Sequence, residues 1–180
     1  YGRMGLRKYE VFTSWVASAF DIDREPGFYL EKARTHGLTF ASLHLPPVNG
    51  GEDGSLGRAV RGARFAAALG APVVLFKADS REAYVKTARR FLDAIEEVPV
   101  TPVLQNQYNT PISSLEDFRK VLRGIGDPRM KTLLEVGHFH SAGVSWQEGY
   151  ELLGESIRLV HIKDKKGKRS VVFGTGEIDY

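Results

Sequence analysis

A repeat of about 30 residues is the feature that most constrains how this chain can fold. Short runs rich in Val, Ile, Leu and Phe lie at residues 6–12, 39–45, 72–77, 100–105, 131–136 and 157–162, and a segment with helical spacing follows each. Parallel strands joined by helical crossovers need this alternation, because each crossover must return along the sheet. The pattern therefore predicts an α/β protein with a parallel sheet and about six βα units.

The segments between these runs carry signals that begin and end helices. Ser113 with Glu116, and Ser145 with Glu148, match the capping box, in which a hydroxyl and a carboxylate each satisfy a free backbone N–H. This spacing predicts that one helix begins after Ser113 and another after Ser145. Further helices are predicted after Ser55 and after Ser80, and a shorter one within residues 23–37.

Two architectures satisfy the βα alternation, a doubly wound open sheet and a (β/α)8 TIM barrel. The open sheet would normally carry a G-x-G-x-x-G loop after its first strand, and the only similar run, GTG at residues 174–176, lies at the other end of the chain. We therefore expect a single barrel domain over residues 1–180. A barrel of this type usually needs about 250 residues. We expect further units before Tyr1 and after Tyr180, or a partner chain that covers the gap.

Composition excludes several classes of protein. The chain has no cysteine, which excludes a disulfide scaffold, a thiolate metal site and a thiol nucleophile. Lys and Arg total 25 against 22 Asp and Glu, and this net charge of +3 argues against nucleic acid as a partner. Apolar runs are far shorter than the ~20 residues of a membrane span, so we expect a cytoplasmic protein. Homo-oligomerisation is left open.

Polar residues gather at the ends of the predicted strands, where parallel βα folds place their sites. They are Glu10, His44, Lys77, Gln105, Asn106, Glu135, His138, His161 and Asp164. A single strand-end histidine is more often a packed residue than a ligand. Several that converge from separate strands favour a site instead. With no thiolate present, Glu135, His138 and His161 offer oxygen and nitrogen ligands that suit Mn, Mg, Co or Zn.

The residues after these strands carry a resemblance to a known family. The motifs are LLEVGH at residues 133–138, AG at 142–143, VHIKD at 160–164 and GTGEID at 174–179, with SLHLP at 42–46 and LGA at 69–71. Together they resemble the xylose isomerase-like barrel family of sugar phosphate isomerases and epimerases, over essentially the whole chain. The resemblance implies a metal-dependent enzyme whose partner is a small sugar or sugar phosphate, and whose reaction passes through an enediolate.

The resemblance also implies roles for individual residues. Gln105, Glu135 and His161 match metal-ligand positions, and a final Glu ligand would lie beyond Tyr180. Glu135 and His138 are the implied catalytic residues, His138 at a position that commonly contacts substrate. The remaining strand-end residues, together with Lys163, are expected to bind substrate: Glu10, His44, Lys77, Asn106, Lys163 and Asp164.

Two of these positions depart from the family pattern and leave other functions open. Gln105 stands where a Glu is expected, and an amide cannot accept a proton at neutral pH. Glu135 stands where the family usually has Asp. A barrel that binds a sugar without catalysis is therefore an alternative. Apurinic endonucleases share the barrel, but their additional Asp and His ligands are replaced here by KRSVVF at residues 168–173.

Some residues near the strand ends have simpler structural interpretations. Glu10 and Lys77 could form a salt bridge at the barrel rim instead of contacting substrate. Residues 163–169 are predicted to be a solvent-exposed basic turn. Trp15 and Trp146 are predicted to be packing residues and not platforms for a sugar ring.

Overall fold

The computed structural model of the chain describes residues 5–51 and 53–180. Its strands are β1 (Lys8–Phe12), β2 (Thr39–His44), β3 (Val73–Leu75), β4 (Thr101–Gln105), β5 (Lys131–Glu135), β6 (Ile157–His161), β7 (Asp164–Lys166) and β8 (Arg169–Val171). Its helices are α1 (Pro26–Thr35), α2 (Asp53–Ala68), α3 (Arg81–Ala94), α4 (Leu115–Ile125), α5 (Val136–Ser141) and α6 (Trp146–Leu153), and one 3-10 turn spans Gly154–Ser156. Each predicted apolar run contains one of β1–β6.

Strands β1–β6 form one parallel sheet in chain order. In a flat sheet, a spacing of about 4.8 Å between neighbouring strands would separate β1 from β6 by about 24 Å. Here the side chain of Glu10 on β1 reaches His161 on β6, with 3.1 Å between Oε2 and Nε2. The sheet is therefore curled into a partial (β/α)8 barrel. This confirms the barrel prediction and excludes the open, doubly wound sheet.

Apolar side chains fill both faces of the curled sheet. On the inner face, Leu75, Val103 and Leu133 come from three adjacent strands and form a small buried cluster below the polar strand ends. The larger core lies between the sheet and the helices, where Phe76 and Phe91 stack with their ring centroids 4.5 Å apart. Because both faces are packed, the strand ends are held on a rigid support.

Helix starts follow the predicted capping signals with two exceptions. The helix predicted after Ser55 begins earlier, because α2 starts at Asp53 and includes Ser55. Ser80 caps α3, and Ser145 with Glu148 forms the predicted capping box of α6. The box that begins α4 pairs Ser114 with Asp117 and not Ser113 with Glu116, so that prediction is wrong by one residue. The buried residues of α4 are Phe118, Val121 and Ile125. Within the described ranges, no helix combines the length and hydropathy needed to cross a membrane.

The basic segment after β6 is more ordered than a turn. Residues 164–166 and 169–171 pair as the antiparallel hairpin β7–β8. The buried carboxylate of Asp164 accepts hydrogen bonds from the backbone N–H groups of Lys165, Gly174 and Gly176, at 2.8–2.9 Å. Residues 163–169 therefore belong mostly to the β7–β8 hairpin and are not a simple turn. Asp164 connects this hairpin to the GTG run.

Candidate active site

A cavity of about 830 Å³ lies at the carboxyl ends of the strands. Of the predicted site residues, Glu10, His44, Lys77, Gln105, His138, His161 and Lys163 line it. Asp79, Gln107 and Thr110 add further polar groups to the wall. Its apolar and aromatic residues include Phe12, Trp15, Tyr84, Val160 and Ile162. The strand ends therefore bring charged groups together inside a largely apolar enclosure, which is typical of a small-molecule site.

Glu10 is the acceptor at the centre of a hydrogen-bond chain across the barrel. Its register partner Ser42 donates from Oγ, His44 Nε2 lies 2.8 Å from Oε1, and His161 Nε2 lies 3.1 Å from Oε2. Burial raises the pKa of Glu10, but the hydrogen bonds from both histidines outweigh burial and hold that pKa well below its ordinary value. Glu10 is therefore ionised, and its oxygens are occupied by protein donors.

His161 connects Glu10 to Glu135, its register partner on β5. Its Nδ1 lies 3.4 Å from Glu135 Oε2 and 3.5 Å from Gln105 Nε2. Burial lowers the pKa of His161, but hydrogen bonds to the two carboxylates outweigh burial and raise that pKa to about 9. The ring thus lies where the ends of β4, β5 and β6 converge.

Glu135 is fully buried and held on all sides. Its Oε1 accepts from the backbone N–H of Gly137 at 3.1 Å, and its Oε2 accepts from Lys163 Nζ at 2.6 Å. The side chain of Asn106 fixes its backbone through both the N–H and the carbonyl. Burial raises the pKa of Glu135, but hydrogen bonds from His161 and Lys163 outweigh it and lower that pKa. Glu135 is therefore ionised at neutral pH, and its carboxylate is held in one position.

Lys77 lies beyond β3 on a separate part of the cavity wall. Its Nζ donates to Gln107 Oε1 at 3.1 Å and lies 4.6 Å from the ring centroid of Trp15. The predicted rim salt bridge with Glu10 is not formed, since Glu10 pairs with His44 and His161. Burial lowers the pKa of Lys77 to about 8.

His138, on the short helix α5, lines the same cavity. Burial lowers the pKa of His138 most strongly. The negative charge of Glu135 raises that pKa and the positive charge of Lys163 lowers it, and the net result is a pKa of about 4. His138 is therefore neutral at neutral pH. A neutral imidazole can both donate and accept a hydrogen bond.

Two predicted substrate contacts lie outside the described cavity lining. Asn106 is fully buried and bonds to the backbone of Glu135, and Asp164 accepts backbone N–H groups of the hairpin and the GTG run. Asn106 therefore supports Glu135, whereas Asp164 holds the GTG run against the hairpin.

Sequence reasoning missed Trp15 as a site residue. Its side chain is 59% exposed, it lines the cavity, and its φ of +67° lies in the left-handed region that bulky residues rarely adopt. The packing prediction for Trp15 is therefore wrong, whereas Trp146 does pack against the core. No signal in the sequence marks the unusual backbone of Trp15.

The ends of β4–β6 bring together donor atoms that could hold a divalent metal. Nε2 of His161 is engaged by Glu10, as in carboxylate–histidine–metal triads, which directs Nδ1 toward Glu135. Because the pKa of His161 is raised to about 9, a proton lies between Nδ1 and Glu135 at neutral pH, and a divalent cation would take the place of that proton. Gln105 Oε1 is buried there without a hydrogen-bond partner. Within residues 5–51 and 53–180, no three His, Asp or Glu side chains form a group that could hold a metal ion. An ion at this place would therefore need the amide oxygen of Gln105 as an additional ligand.

The curled parallel sheet and the polar cavity at its carboxyl edge define the class of protein as a TIM barrel with its site at the strand ends. The family model for the xylose isomerase-like TIM barrel matches residues 3–180, and the chain belongs to this family. The resemblance seen in the sequence motifs is thereby confirmed. Among curated proteins, a search found no match.

Solved structures share the fold at low sequence identity. A D-tagatose 3-epimerase-like protein superposes with a TM-score of 0.76 at 16% identity, over 96% of this chain and 73% of that one. The IolI protein with a bound zinc atom gives 0.76 at 16% identity, over 99% and 73%. A family 2 AP endonuclease from Brucella melitensis gives 0.77 at 13% identity, over 99% and 76%. These superpositions establish a shared fold. Sequence identities this low do not establish a shared reaction.

Proposed function

We propose that this chain carries the active site of a metal-dependent isomerase or epimerase of a sugar or sugar phosphate, acting through an enediolate. The observation that carries the proposal is the convergence of Glu135, His161 and Gln105 beside a cavity that His138 also lines. Family membership supports an enzyme of this kind, and the epimerase-like and zinc-binding neighbours are consistent with it.

Glu135 and His138 supply the acid–base chemistry in this proposal. A carboxylate with a lowered pKa is ionised at neutral pH and can take the proton next to a substrate carbonyl. Gly137, Asn106 and Lys163 hold that carboxylate in place, so little reorganisation is needed. The neutral imidazole of His138 orients the substrate and can donate a hydrogen bond to its oxygen. The apolar wall limits the access of water.

His161 Nδ1, Glu135 Oε2 and Gln105 Oε1 are the atoms that would hold a divalent ion such as Mn, Mg, Co or Zn. Such an ion, when bound, stabilises the negative charge that develops on the substrate oxygen. Lys163 donates to the same oxygen of Glu135 and would have to give up this contact. With one carboxylate in the set, the ion should be held more weakly than by two. Glu10, His44, Lys77 and Lys163 line the cavity, and in this proposal they bind the substrate.

Proton exchange with solvent tests the enediolate directly. Aldoses, ketoses and their phosphates are incubated with the protein and Mn²⁺ in D₂O, and deuterium at the carbon next to the carbonyl is followed by NMR. We expect exchange in the wild type and a loss of at least about 100-fold in Glu135→Gln and His138→Asn. Glu155→Gln, an exposed change at the opposite end of the sheet, is the control. Exchange that is equal in all four proteins would refute the proposal.

A sugar-binding barrel without catalysis is the second candidate, because Gln105 lacks the charge and basicity of Glu. It predicts binding of a sugar without deuterium exchange. Gln105→Glu separates the two: a large gain in metal affinity together with the appearance of exchange would show that this position limits the site. Sugar binding that stays unaccompanied by exchange in Gln105→Glu would favour the non-catalytic barrel.

A further inference from the structure

Within the described residues, Lys77 differs from the other lysine that lines the cavity, Lys163, in having no carboxylate at ion-pair distance, and Glu10 attracts it only from farther away. Lys163 is paired with Glu135, and His44 and His161 are paired with Glu10. Within the described part of the chain, the polar contact of Lys77 is the neutral amide of Gln107, and its other neighbour is the ring of Trp15. Burial of an ammonium without a counter-charge is costly, and the cost is removed when a ligand supplies one.

The surroundings of Lys77 suit an anion attached to an apolar frame. Gln107 fixes Nζ at 3.1 Å, and Trp15 covers one side of the ammonium while more than half of its own side chain stays exposed in the cavity. Thr110 also lines the cavity, and its hydroxyl donates to the backbone carbonyl of Gln107 at 2.7 Å, which ties the segment that carries Gln107. Glu10 and His161 line the same cavity, and His161 connects it to the buried Glu135. A ligand could therefore contact Lys77 with one end and the reactive residues with the other.

We infer that Lys77, Gln107 and Trp15 form a subsite for an anionic group of the substrate, a carboxylate or a phosphate, with Trp15 packing against the adjoining carbon frame. The inference deepens the proposed function, on which it rests, by naming the substrate class as an acidic or phosphorylated sugar. Charge-assisted hydrogen bonds from Lys77 would supply the affinity, and Trp15 would favour a ligand with an apolar face.

Binding of three related probes tests the subsite without requiring turnover. Glucose, glucuronate and glucose 6-phosphate share a ring and differ at one end, and their dissociation constants are measured by calorimetry in a Glu135→Gln background that is expected to be inactive. We expect at least one of the two anionic sugars to bind about 10-fold or more tightly than glucose. Preference for glucuronate assigns the subsite to a carboxylate, and preference for glucose 6-phosphate to a phosphate. Equal binding of all three probes, or no binding of any, would overturn the inference.

Variants of Lys77 separate a local contact from general charge attraction. Lys77→Met should weaken binding of the preferred anionic sugar about 10- to 100-fold and leave glucose within about 2-fold, whereas Lys77→Arg should retain most of the affinity. Lys131→Met removes the same charge at the amino end of β5 and should change nothing. An equal loss in Lys77→Met and Lys131→Met, or no loss in either, contradicts the subsite. Circular dichroism and thermal unfolding verify that each variant is folded.

Fluorescence gives an independent readout of Trp15. Trp146→Phe leaves Trp15 as the sole tryptophan of the chain, so quenching on addition of the anionic sugar reports contact at the subsite. We expect quenching that saturates with the calorimetric affinity and disappears in Lys77→Met. Binding without any change in Trp15 emission would place the anion elsewhere. Failure of deuterium exchange would leave these binding results standing, so the subsite and the proposed reaction fail separately.

Discussion

Asp117 offers a sharp test of how α4 is begun and attached. Its Oδ2 accepts from the backbone N–H groups of Ser113 and Ser114 and from the Ser114 hydroxyl, at 2.9–3.1 Å. Its Oδ1 accepts from Arg81 Nη1 at 2.8 Å and so connects α4 to the start of α3. The neighbouring Glu116 makes only longer, exposed pairs with residues of its own helix. Asp117→Asn and Glu116→Gln therefore form a matched pair that removes one charge each.

The expected loss of stability in Asp117→Asn has two parts. Loss of the capping contacts costs about 1 kcal/mol. The Arg81 pair adds up to about 1 kcal/mol, discounted because nearly half of the Arg81 side chain is exposed. A total of about 1–2 kcal/mol corresponds to a fall in Tm of roughly 2–8 °C for a chain of this size. Glu116→Gln should stay within about 0.5 kcal/mol of wild type.

The pH dependence of this difference has a defined sign. Burial raises the pKa of Asp117, but hydrogen bonds from Ser114 and Ser113, with the charge of Arg81, outweigh burial and lower that pKa below its ordinary 3.8. A lowered folded-state pKa contributes stability that is present above pH 3.8 and lost as the pH falls through the folded value. Urea unfolding at pH 7 and below pH 3 should thus show the gap between wild type and Asp117→Asn closing in acid. A gap at pH 7 in Glu116→Gln and none in Asp117→Asn would refute the reasoning.

Two further predictions concern packing and the C-terminal hairpin. Gly149→Ala should lower the free energy of unfolding by about 1–3 kcal/mol, because the new Cβ would overlap the Phe139 ring. Gly57 faces open space, so Gly57→Ala should raise the free energy of unfolding by up to about 1 kcal/mol. Equal effects of the two substitutions in urea unfolding would contradict this packing. In the wild type, the backbone amides of Gly174 and Gly176 donate hydrogen bonds to the Asp164 carboxylate. Asp164→Asn should therefore speed hydrogen exchange at these two amides, while the amides of β5 keep their protection. Unchanged exchange at both glycines would show that another contact holds the segment.

The main fold elements could be predicted because the signals are local. Each apolar run has turn residues or a helical segment on both sides, and the 30-residue repeat admits few topologies. The helix start at α4 shows the limit of such signals. Ser113 and Ser114 each precede an acidic residue by three positions, so the sequence offers two capping boxes in adjacent registers. Burial of Phe118 and the contact with Arg81 select the second, and both depend on tertiary packing.

Most of the residues that line the cavity could be predicted from the sequence, because the carboxyl ends of parallel strands meet at one edge of the sheet. Which side chains pair there could not be predicted. Glu10 and His161 are 151 residues apart and meet only because the sheet curls. The partners of Lys77 depend on the loop that carries Gln107 and on the left-handed backbone of Trp15. The side chain of Asn106 forms hydrogen bonds with the backbone of Glu135. Its position directly after a strand does not reveal this supporting role.

Metal stoichiometry tests the central claim of a metal-dependent site most directly. The purified protein is dialysed separately against Mn, Mg, Co and Zn, and bound metal is measured by elemental analysis beside Glu135→Ala, His161→Ala and the control His36→Ala. We predict about one divalent ion per chain in wild type and His36→Ala, and its loss from the other two variants. Retention of no metal by the wild type, or equal retention by folded Glu135→Ala and His161→Ala, would contradict the account.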